Sequence, residues 1–460
     1  MMIPATAAQV PPARRSRRRL LAGTLPGATL LAACTTGPGE SGPAANEGPP
    51  VTVEYLTQLN PSQNDNYQRL LVDALQKDHP RLRLTVISSD IAISTKLKTL
   101  VAAGASPDAT WFANHENYLG KLVVEVTDRV KRDKVNLGVY NKELFDAYVT
   151  WKGQIMGLPN QSGGNWPVMP YNRELFAQAG VTEPPASWTD AKWNGETWVQ
   201  ALQRLTRRNA EGVATQLGIN LPGPGVLTVN WGPYFKGAWV SDDLKTVTCD
   251  TPQMIEAYEY LANLVTRLRV MATATMLRDA LGDNNAERNF LAGKLAMYQV
   301  AGGATSVVAE AVRTRGLPLA YAPLPSFKTG GSAQNLDNNG VPAGSKHPDE
   351  AWTFVKWSAN NANWSISRGN APARADLVQA WAKELYPGDL GKQMRLDVYA
   401  DSLKHVGWRD PLFLLPTYRD MRSEVIDAAL NKLWAGEANA ATILRESKAP
   451  LQAMMPKNLP

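Results

Sequence analysis

A regular alternation of apolar and polar residues begins after residue 50 and predicts the first elements of the fold. Residues 51–55 alternate as a half-buried strand does, and apolar positions at helical spacing over 67–75 predict a helix that ends before a His-Pro pair. Alternation returns over residues 82–86. A second helix is predicted around 97–101 and a short third strand over 109–113. Strand, helix, strand, helix, strand is the order of an open α/β sheet.

Ligands of open α/β sheets bind beyond the carboxyl ends of the strands. The polar loops 58–64 and 114–117 follow the first and third predicted strands. We therefore expect these two loops to face a ligand. The chain shows no internal repeat at a fixed period.

The first 33 residues have the composition of an export signal. Five arginines lie between residues 14 and 19, and an apolar run over residues 20–33, interrupted by glycine and proline, follows them. This run is too short to span a bilayer as a permanent helix, so we interpret residues 1–33 as a signal peptide that is removed. Residues 16–21 resemble a twin-arginine export motif, and an Arg-rich Sec signal is the alternative.

The apolar run ends in Leu31-Ala32-Ala33-Cys34, which resembles the lipobox of bacterial lipoproteins. The resemblance implies a lipid on the thiol of Cys34, which would hold the protein at the outer face of the cell membrane or in the periplasm. Residues 34–50, rich in Gly, Pro, Ala and Ser, would form a lipidated flexible tether. Cys249 is then left without a disulfide partner, and we interpret it as a small apolar filler, with a reactive thiol as the alternative.

The balance of charge changes when the signal peptide is removed. The full sequence has 48 basic and 42 acidic residues, and five of the basic ones precede Cys34, which leaves 43 basic residues against 42 acidic. A chain with nearly equal numbers of basic and acidic residues lacks the excess of positive charge that is typical of nucleic-acid-binding proteins. The 427 residues from Cys34 onward contain no run of membrane-spanning length. This length is greater than a single hydrophobic core usually organises, and it fits two lobes of about 200 residues each.

Several motifs resemble one family of transport proteins. The segment 153–176, with Gly180 and residues 184–189, is similar to the "GKxYGLP … YYNKxLFxxAG … PPxTW" pattern of the extracellular solute-binding proteins, family 1, of ABC importers, a class that includes maltose-type binders. Further segments match the "HP", "AAGxxPD", "FxxGKxAM" and "AxSKHPEEAW" patterns of this family, in the expected order: His79-Pro80, 102–108, 290–297 and 343–352. The resemblance spans essentially all of the mature chain.

The resemblance implies a two-lobe periplasmic-binding-protein fold of type II. Each lobe would be an open α/β sheet, and hinge crossings, the first near residues 161–167, would let the lobes close on a ligand. The N-terminal lobe would hold residues 51–162 and 297–342, and the C-terminal lobe 163–296 and 343–460. The resemblance further implies a monomer without a cofactor that delivers a polar solute, expected to be a sugar or oligosaccharide, to a membrane permease and its ATPase.

Tryptophan is abundant, with 14 residues in 460. Trp166, Trp231 and Trp408 lie in polar loops with Gly or Pro neighbours, where a flat ring can stack on the apolar face of a sugar. For Trp231 and Trp408 structural packing is an equal alternative, and Trp166 is the weaker candidate. The tryptophans at amphipathic helical spacing are predicted to pack in the core: Trp352, Trp357 and Trp434.

The other candidate ligand contacts are polar or glycine residues at strand ends, at the expected crossings and in loops where the family places contacts: Gln58, Asn60, Asn114, His115, Gln161, Tyr234, Gln299, Gly302, Asn338, Asn339 and Arg368. A plain polar loop is the alternative for Asn114 and His115. Arg368 could reach a sugar hydroxyl or a carboxylate, or stay solvated. The family commonly has a Trp near Gly302, so the small residues 302–304 imply stacking from elsewhere or room for a bulkier ligand.

Enzyme motifs are absent from the sequence. It has no G-x-S-x-G, no P-loop, no H-E-x-x-H and no C-x-x-C, and its four histidines show no metal-ligand spacing. We therefore expect a binding protein that is not an enzyme and holds no metal. Two rivals stay open: a secreted glycoside hydrolase, which needs only two carboxylates, and an adhesive or scaffold lipoprotein without a small ligand.

The lipobox yields the first testable prediction. Cys34→Ser removes the thiol that would carry the lipid, so we expect the variant to leave the membrane fraction while its folded body still binds ligand. Fractionation of cells followed by immunodetection measures this. Recovery of the variant wholly with membranes would contradict the lipobox interpretation.

Overall fold

The computed structural model describes residues 49–58, 67–112, 115–162, 168–222, 226–299, 305–332, 335–368, 370–406 and 409–459. These residues belong to the compact unit Gly48–Pro460. The predicted signal peptide, the tether and Cys34 lie outside them. The strands of the described residues are β1 (Val51–Thr57), β2 (Leu82–Ser88), β3 (Ala109–Phe112), β4 (Thr150–Trp151), β5 (Gln154–Ile155), β6 (Leu158–Ser162), β7 (Met169–Asn172), β8 (Arg207–Arg208), β9 (Ala214–Gln216), β10 (Ile219–Asn220), β11 (Met271–Ala272), β12 (Leu319–Ala322) and β13 (Leu336–Gly340).

The α-helices of the same residues are α1 (Ala74–Asp78), α2 (Ile93–Ala102), α3 (Glu116–Leu119), α4 (Thr127–Arg132), α5 (Lys142–Val149), α6 (Arg173–Gln178), α7 (Gly195–Leu205), α8 (Val226–Val229), α9 (Pro252–Ala262), α10 (Ala274–Leu281), α11 (Ala286–Leu291), α12 (Thr305–Arg315), α13 (Pro348–Ala359), α14 (Asn363–Arg368), α15 (Val378–Leu385), α16 (Leu390–Gln393), α17 (Leu396–Asp401), α18 (Tyr418–Met421), α19 (Asp427–Ala435) and α20 (Ala440–Ala453). Short π-helical segments span Gln68–Asp73, Asn263–Arg267 and Arg422–Ile426, and 3-10 turns span Leu137–Val139, Gly232–Phe235, Ala375–Leu377, Ser402–Lys404 and Pro411–Leu414.

A five-stranded sheet has the order β2-β1-β3-β13-β6. β1 runs parallel to β2 and β3, and β13 runs antiparallel to β3 and β6. The three predicted strands are confirmed as β1, β2 and β3, and the alternating Val53 and Tyr55 of β1 are buried. The two predicted helices are confirmed as well, since the segment Gln68–Asp73 continues into α1, which ends at Asp78 before His79, and α2 follows β2.

Helices α1, α2, α5, α13 and α14 pack on this sheet, and we call the sheet with these helices the first lobe. Its core is built around aromatic rings. Phe354 of α13 and Trp364 of α14 contact Tyr55 of β1 at ring-centroid distances of 4.8 and 5.4 Å. Because α13 and α14 cover the sheet at β6 and β13, they fix the strand ends that carry the polar residues described below.

A second core surrounds the antiparallel pair β7–β12. α7 shows how local sequence builds it: Asn194 caps the helix with a reciprocal capping box, and Trp198 is fully buried on the apolar face. α9, α19 and α20 complete this core, and Tyr321 and Trp381 belong to an adjoining cluster. We call β7 to β12 and the helices around them the second lobe.

The second lobe includes the residues from α15 onward that pack into its clusters, and the first lobe holds α13 and α14. This packing differs from the expected division of the chain in two places. Residues 319–322, expected in the N-terminal lobe, form β12 and pair with β7. Residues 348–359, expected in the C-terminal lobe, form α13 on the five-stranded sheet. All four residues of β12 are buried, so its sequence has no alternation that would indicate its sheet. The exact division of the chain stays a prediction.

Core predictions for single residues are confirmed by burial. Trp352, Trp357 and Trp434 are at most 7% exposed. Cys249 is fully buried, its Sγ donates to the carbonyl of Leu444 at 3.2 Å, and burial raises the pKa of its thiol to about 12. An inert, protonated thiol in the core supports the interpretation of Cys249 as a filler. Along the described parts of the chain, no helix is both long and apolar enough to cross a bilayer.

Candidate ligand site

A buried polar cluster lies where β6 meets β13 in the first lobe. Asp337 is the centre of this cluster and is 3% exposed. Its Oδ2 accepts a hydrogen bond from Nε2 of Gln161, and its Oδ1 accepts one from Nδ2 of Asn335 at 2.6 Å. Both donors are also buried. A carboxylate removed from water in this way needs such donors, because a buried charge without partners is strongly unfavourable.

The strand register brings these residues together. Asp337 stands opposite Gln161 in the antiparallel pairing of β13 with β6, and the register shifts between Asp337 and Asn338. Irregularities of this kind re-aim side chains next to functional sites. β13 has the sequence Leu-Asp-Asn-Asn-Gly, a poor strand former, and it is held in the sheet by β3 on one side and β6 on the other.

Arg368 adds a positive charge to the cluster. Its Nη1 donates to the backbone oxygen of Gln58 at 2.6 Å and to the hydroxyl of Tyr67 at 3.0 Å. Its guanidinium carbon lies 5.3 Å from the ring centroid of Trp111 and 6.0 Å from that of Trp364. The side chain is therefore held against aromatic faces at the end of β1, and it does not extend freely into solvent.

Several buried polar atoms on or next to β6, β13 and α14 have no hydrogen-bond partner among the described residues. They are Oδ1 and Nδ2 of Asn160, Oε1 of Gln161, Oδ1 of Asn335, Nε of Arg368 and Oδ1 of Asn370. Buried polar atoms are almost always paired with protein, water or ligand. This group contains both acceptors and donors, which is what a ligand with many hydroxyl groups requires.

Burial raises the pKa of the Asp337 carboxyl to about 6, although the hydrogen bond from Gln161 and the charge of Arg368 both act to lower it. The carboxyl therefore exchanges its proton close to neutral pH. Ionised, it only accepts hydrogen bonds, and protonated, it can donate one. Strongly shifted carboxyls in polar clusters are frequent at binding sites.

The structure brings some of the predicted site residues to this cluster. Gln161 is part of it, and Gln58 contributes its backbone oxygen to Arg368. Asn338 lies beside Asp337, and its Nδ2 donates to the carbonyl of Tyr148 at 3.3 Å. Their contact with a ligand stays a prediction.

Asn339 and His115 are occupied by the protein itself. Asn339 accepts from the hydroxyl of Tyr55 at 2.9 Å and donates to Oγ of Ser358 at 2.9 Å, so both ends of its amide are used inside the first lobe. His115 is fully buried, and its Nε2 lies 2.8 Å from the carbonyl of Thr150. Burial and the nearby Arg409 lower the pKa of His115 to about 3, so its ring is neutral at physiological pH. These contacts favour a structural role for both residues.

Gln299, Trp231 and Tyr234 belong to the second lobe. The backbone of Gln299 exchanges two hydrogen bonds with the amide of Asn220, and its Oε1 has no partner among the described residues. Trp231 is 1% exposed, and its ring contacts those of Tyr234 and Phe327 at 5.5 and 5.2 Å. For Trp231 and Tyr234 this burial favours core packing, and stacking on a sugar stays a prediction that these contacts do not support.

The remaining predicted residues lie outside the described parts of the chain: Asn60, Asn114, Trp166, Gly302 and Trp408. Conversely, the sequence reasoning missed Asn160, Asn335, Asp337 and Asn370. A signal was present, since β6 and β13 read as polar runs of Asn, Gln, Ser and Asp inside strands. Polar side chains buried in a sheet need hydrogen-bond partners, and a ligand can supply them. Among the described residues, no cluster of His, Cys, Asp or Glu is arranged to hold a metal ion.

Two α/β lobes with a polar, partly unpartnered cluster beside strand ends define a two-lobe binding protein. The profile of the bacterial extracellular solute-binding proteins matches residues 71–387, and the chain belongs to this family. A binding protein of Brucella abortus is 20% identical over 458 residues, covering 96% of this chain and 99% of that protein.

Solved structures with a similar fold come from several bacteria. An ABC substrate-binding protein of Listeria monocytogenes, solved with cycloalternan, has a TM-score of 0.71 at 20% identity and covers 88% of this chain and 98% of that one. The acarbose receptor of Streptomyces glaucescens has a TM-score of 0.68 at 19% identity, covering 88% and 98%. The maltose/maltodextrin-binding domain of Bdellovibrio bacteriovorus has a TM-score of 0.65 at 14% identity, covering 88% and 99%. At these identities the likeness establishes the two-lobe fold.

The cluster yields a prediction for Asp337. Asp337→Asn keeps the shape of the side chain and removes its charge, so it should weaken solute binding by about 2 kcal/mol, roughly 30-fold in affinity, the size of a hydrogen bond to a charged group. Wild-type affinity should rise between about pH 5 and pH 7 as the carboxyl loses its proton, and the variant should lose this dependence. Isothermal titration at several pH values measures both.

The matched control is Asp128→Asn, which neutralises a carboxylate of the same lobe that is 91% exposed. It should bind like the wild type. Asp337→Asn with wild-type affinity and an unchanged pH profile would contradict the assignment of Asp337 to the site.

Trp231 gives a second prediction, on the choice between packing and stacking. Trp231→Ala should lower the free energy of unfolding of the ligand-free protein by about 3 to 5 kcal/mol, because it empties a packed core position, and it should leave the affinity of the folded fraction nearly unchanged. Urea unfolding and titration on the same variant measure the two effects. Trp434→Ala, in the same core, is the reference. Normal stability with lost affinity would restore the stacking hypothesis.

Proposed function

We propose that this chain is the extracytoplasmic substrate-binding protein of an ABC importer, which captures a sugar or oligosaccharide between its lobes and delivers it to a membrane permease and its ATPase. The observation that carries the proposal is the set of buried, unpartnered amide and guanidinium atoms on and next to β6, β13 and α14. Sugar hydroxyls can donate and accept at the same time, so they can pair with both kinds of atom in one small volume.

The charge of the cluster favours a neutral solute. It holds one carboxylate, Asp337, and one guanidinium, Arg368, which lower each other's electrostatic cost. A strongly anionic solute would be repelled by Asp337, and a strongly cationic one would be repelled by Arg368. The faces of Trp111 and Trp364 beside Arg368 add apolar surface of the kind that sugar rings contact.

The structural relatives support a carbohydrate. Three of the similar structures were solved with cycloalternan, with acarbose and with maltotriose, all of them oligosaccharides or oligosaccharide analogues. Others were solved with mannotriose and with tagatose. Solutes of more than one ring unit recur among these proteins, so we propose an oligosaccharide ahead of a monosaccharide.

The packing suggests how the chain is divided between the lobes. We propose that it crosses between Ser162 and Val168, between Ala322 and Leu336, and after Arg368. This division keeps β13, α13 and α14 with the five-stranded sheet and β12 with β7. Ser162, Leu336 and Arg368, which flank these proposed crossings, belong to or adjoin the polar cluster, so a solute bound there would be positioned to bias the motion of the lobes.

The family is extracellular, and we propose that this member is held at the membrane by a lipid on Cys34 after export by a Sec or twin-arginine route. The lipobox resemblance and the Arg-rich signal support this part of the proposal.

A thermal-shift screen tests the proposed function. The panel contains neutral oligosaccharides, monosaccharides, uronates, sugar phosphates and amino acids. A neutral oligosaccharide should raise the melting temperature most, because a ligand stabilises the folded state in proportion to its occupancy. A shift with amino acids alone, or none with any sugar, would contradict the proposal. Turnover of chromogenic glycosides would favour a glycoside hydrolase instead.

Hinge closure gives a further prediction. A solute that contacts both lobes binds the closed form better and shifts the population toward it. Small-angle scattering with the best solute of the screen should therefore show a smaller radius of gyration than the ligand-free protein. An unchanged radius at saturation would count against closure.

A further inference from the structure

Two arginines of the second lobe reach across to the first lobe. Arg419 lies on α18, between Tyr418 and the buried Met421, both part of the second-lobe core. Its partner, Glu116, begins α3 directly after β3 of the five-stranded sheet. The segment after α3 is tied to that sheet, because the backbone of Val124 donates to the carbonyl of Val341 at 2.9 Å. The ion pair Arg419–Glu116 therefore joins the two lobes.

The geometry of this pair is favourable. Nε of Arg419 lies 2.7 Å from Oε1 and 2.9 Å from Oε2 of Glu116. The side chain of Glu116 is 9% exposed and that of Arg419 is 38% exposed. A pair that is partly shielded from water, with one N–H shared between both carboxylate oxygens, interacts more strongly than an exposed one.

Arg409 makes a second contact between the same parts. Its guanidinium carbon lies 3.8 Å from the ring centroid of Tyr148, and its Nη1 donates to the carbonyl of Ala147, both on α5 of the first lobe. Its Nη2 donates to the carbonyl of Phe413 at 3.0 Å, within the second lobe. Arg409 and Tyr148 also line a cavity of about 410 Å³, whose walls come from α5, from Asp242 and Val406, and from residues 409–414.

These contacts adjoin the ligand cluster. The carbonyl of Tyr148 accepts the hydrogen bond from Asn338, and Asn338 follows Asp337 in β13. The contact between the lobes and the proposed solute site therefore share the end of α5. The contacts of Arg419 with Glu116 and of Arg409 with α5 would be disrupted if the lobes separated, since each joins residues of different lobes.

We infer that the ion pair Glu116–Arg419 is a latch between the lobes that sets solute affinity without touching the solute. The inference rests on the proposed function for its binding readout. The pair forms only when the two lobes are in contact, so it stabilises the closed form of the protein relative to the open form. A solute that binds the closed form gains in apparent affinity by the same factor as the closed population.

Charge reversal tests the latch. Glu116→Arg and Arg419→Glu should each weaken solute affinity by about fivefold, mainly through faster dissociation, as expected for one partly exposed ion pair. The double variant restores opposite charges and should recover most of the affinity, which a merely structural defect would not. The control is Glu310→Arg, which breaks an exposed pair with Arg313 inside α12 and should bind like the wild type.

A measurement without solute keeps this test separate from the proposed function. Scattering of the ligand-free single variants should give a larger radius of gyration than the wild type, and the double variant should return to it. The milder Glu116→Gln should move in the same direction if a reversal variant fails to fold. Single variants that leave both the radius and the affinity unchanged, or a double variant that rescues neither, would overturn the latch.

Discussion

The burial of Asp337 near one edge of the five-stranded sheet is the constraint on which the rest of this account depends. A carboxylate at 3% exposure must be compensated, and Gln161, Asn335 and Arg368 supply that compensation from three separate parts of the chain. β6, β13 and α14 are thereby held at one edge of the sheet. The compensation is incomplete, since neighbouring amide atoms stay unpaired among the described residues. An incomplete network costs stability, and a hydroxyl-rich ligand would complete it.

The first lobe holds the polar cluster rigidly, and the second lobe can move relative to it. Aromatic rings of α13 and α14 pack the first lobe against β1 and hold the polar cluster in place. The second lobe has its own core around β7 and β12, so it can move as a body. Contacts such as Arg409 on Tyr148 join the bodies beside the cluster, and they link solute binding to the population of closed molecules.

Part of this structure could be predicted from the sequence. β1 and β2 alternate, and the tryptophans at helical spacing pack as expected, because one-sided burial leaves a local pattern. β12 and β13 could not be placed in this way, since one is buried on both faces and the other is polar. Trp231 shows the same limit: Gly and Pro neighbours suggest a loop, and only ring contacts with residues distant in sequence, such as Phe327, reveal a core position. The family motifs identified the fold, while the central acid, Asp337, depended on a pairing between residues far apart in sequence.

Crystallography of the protein with the best solute of a carbohydrate screen tests the central claim most directly. The account predicts a sugar hydroxyl within about 3 Å of a carboxylate oxygen of Asp337, with further hydroxyls paired to the open amide atoms of Asn160 and Asn370. The account would be contradicted by a solute bound elsewhere, with the hydrogen bonds from Gln161 and Asn335 to Asp337 unchanged and with water paired to the open amide atoms of Asn160 and Asn370.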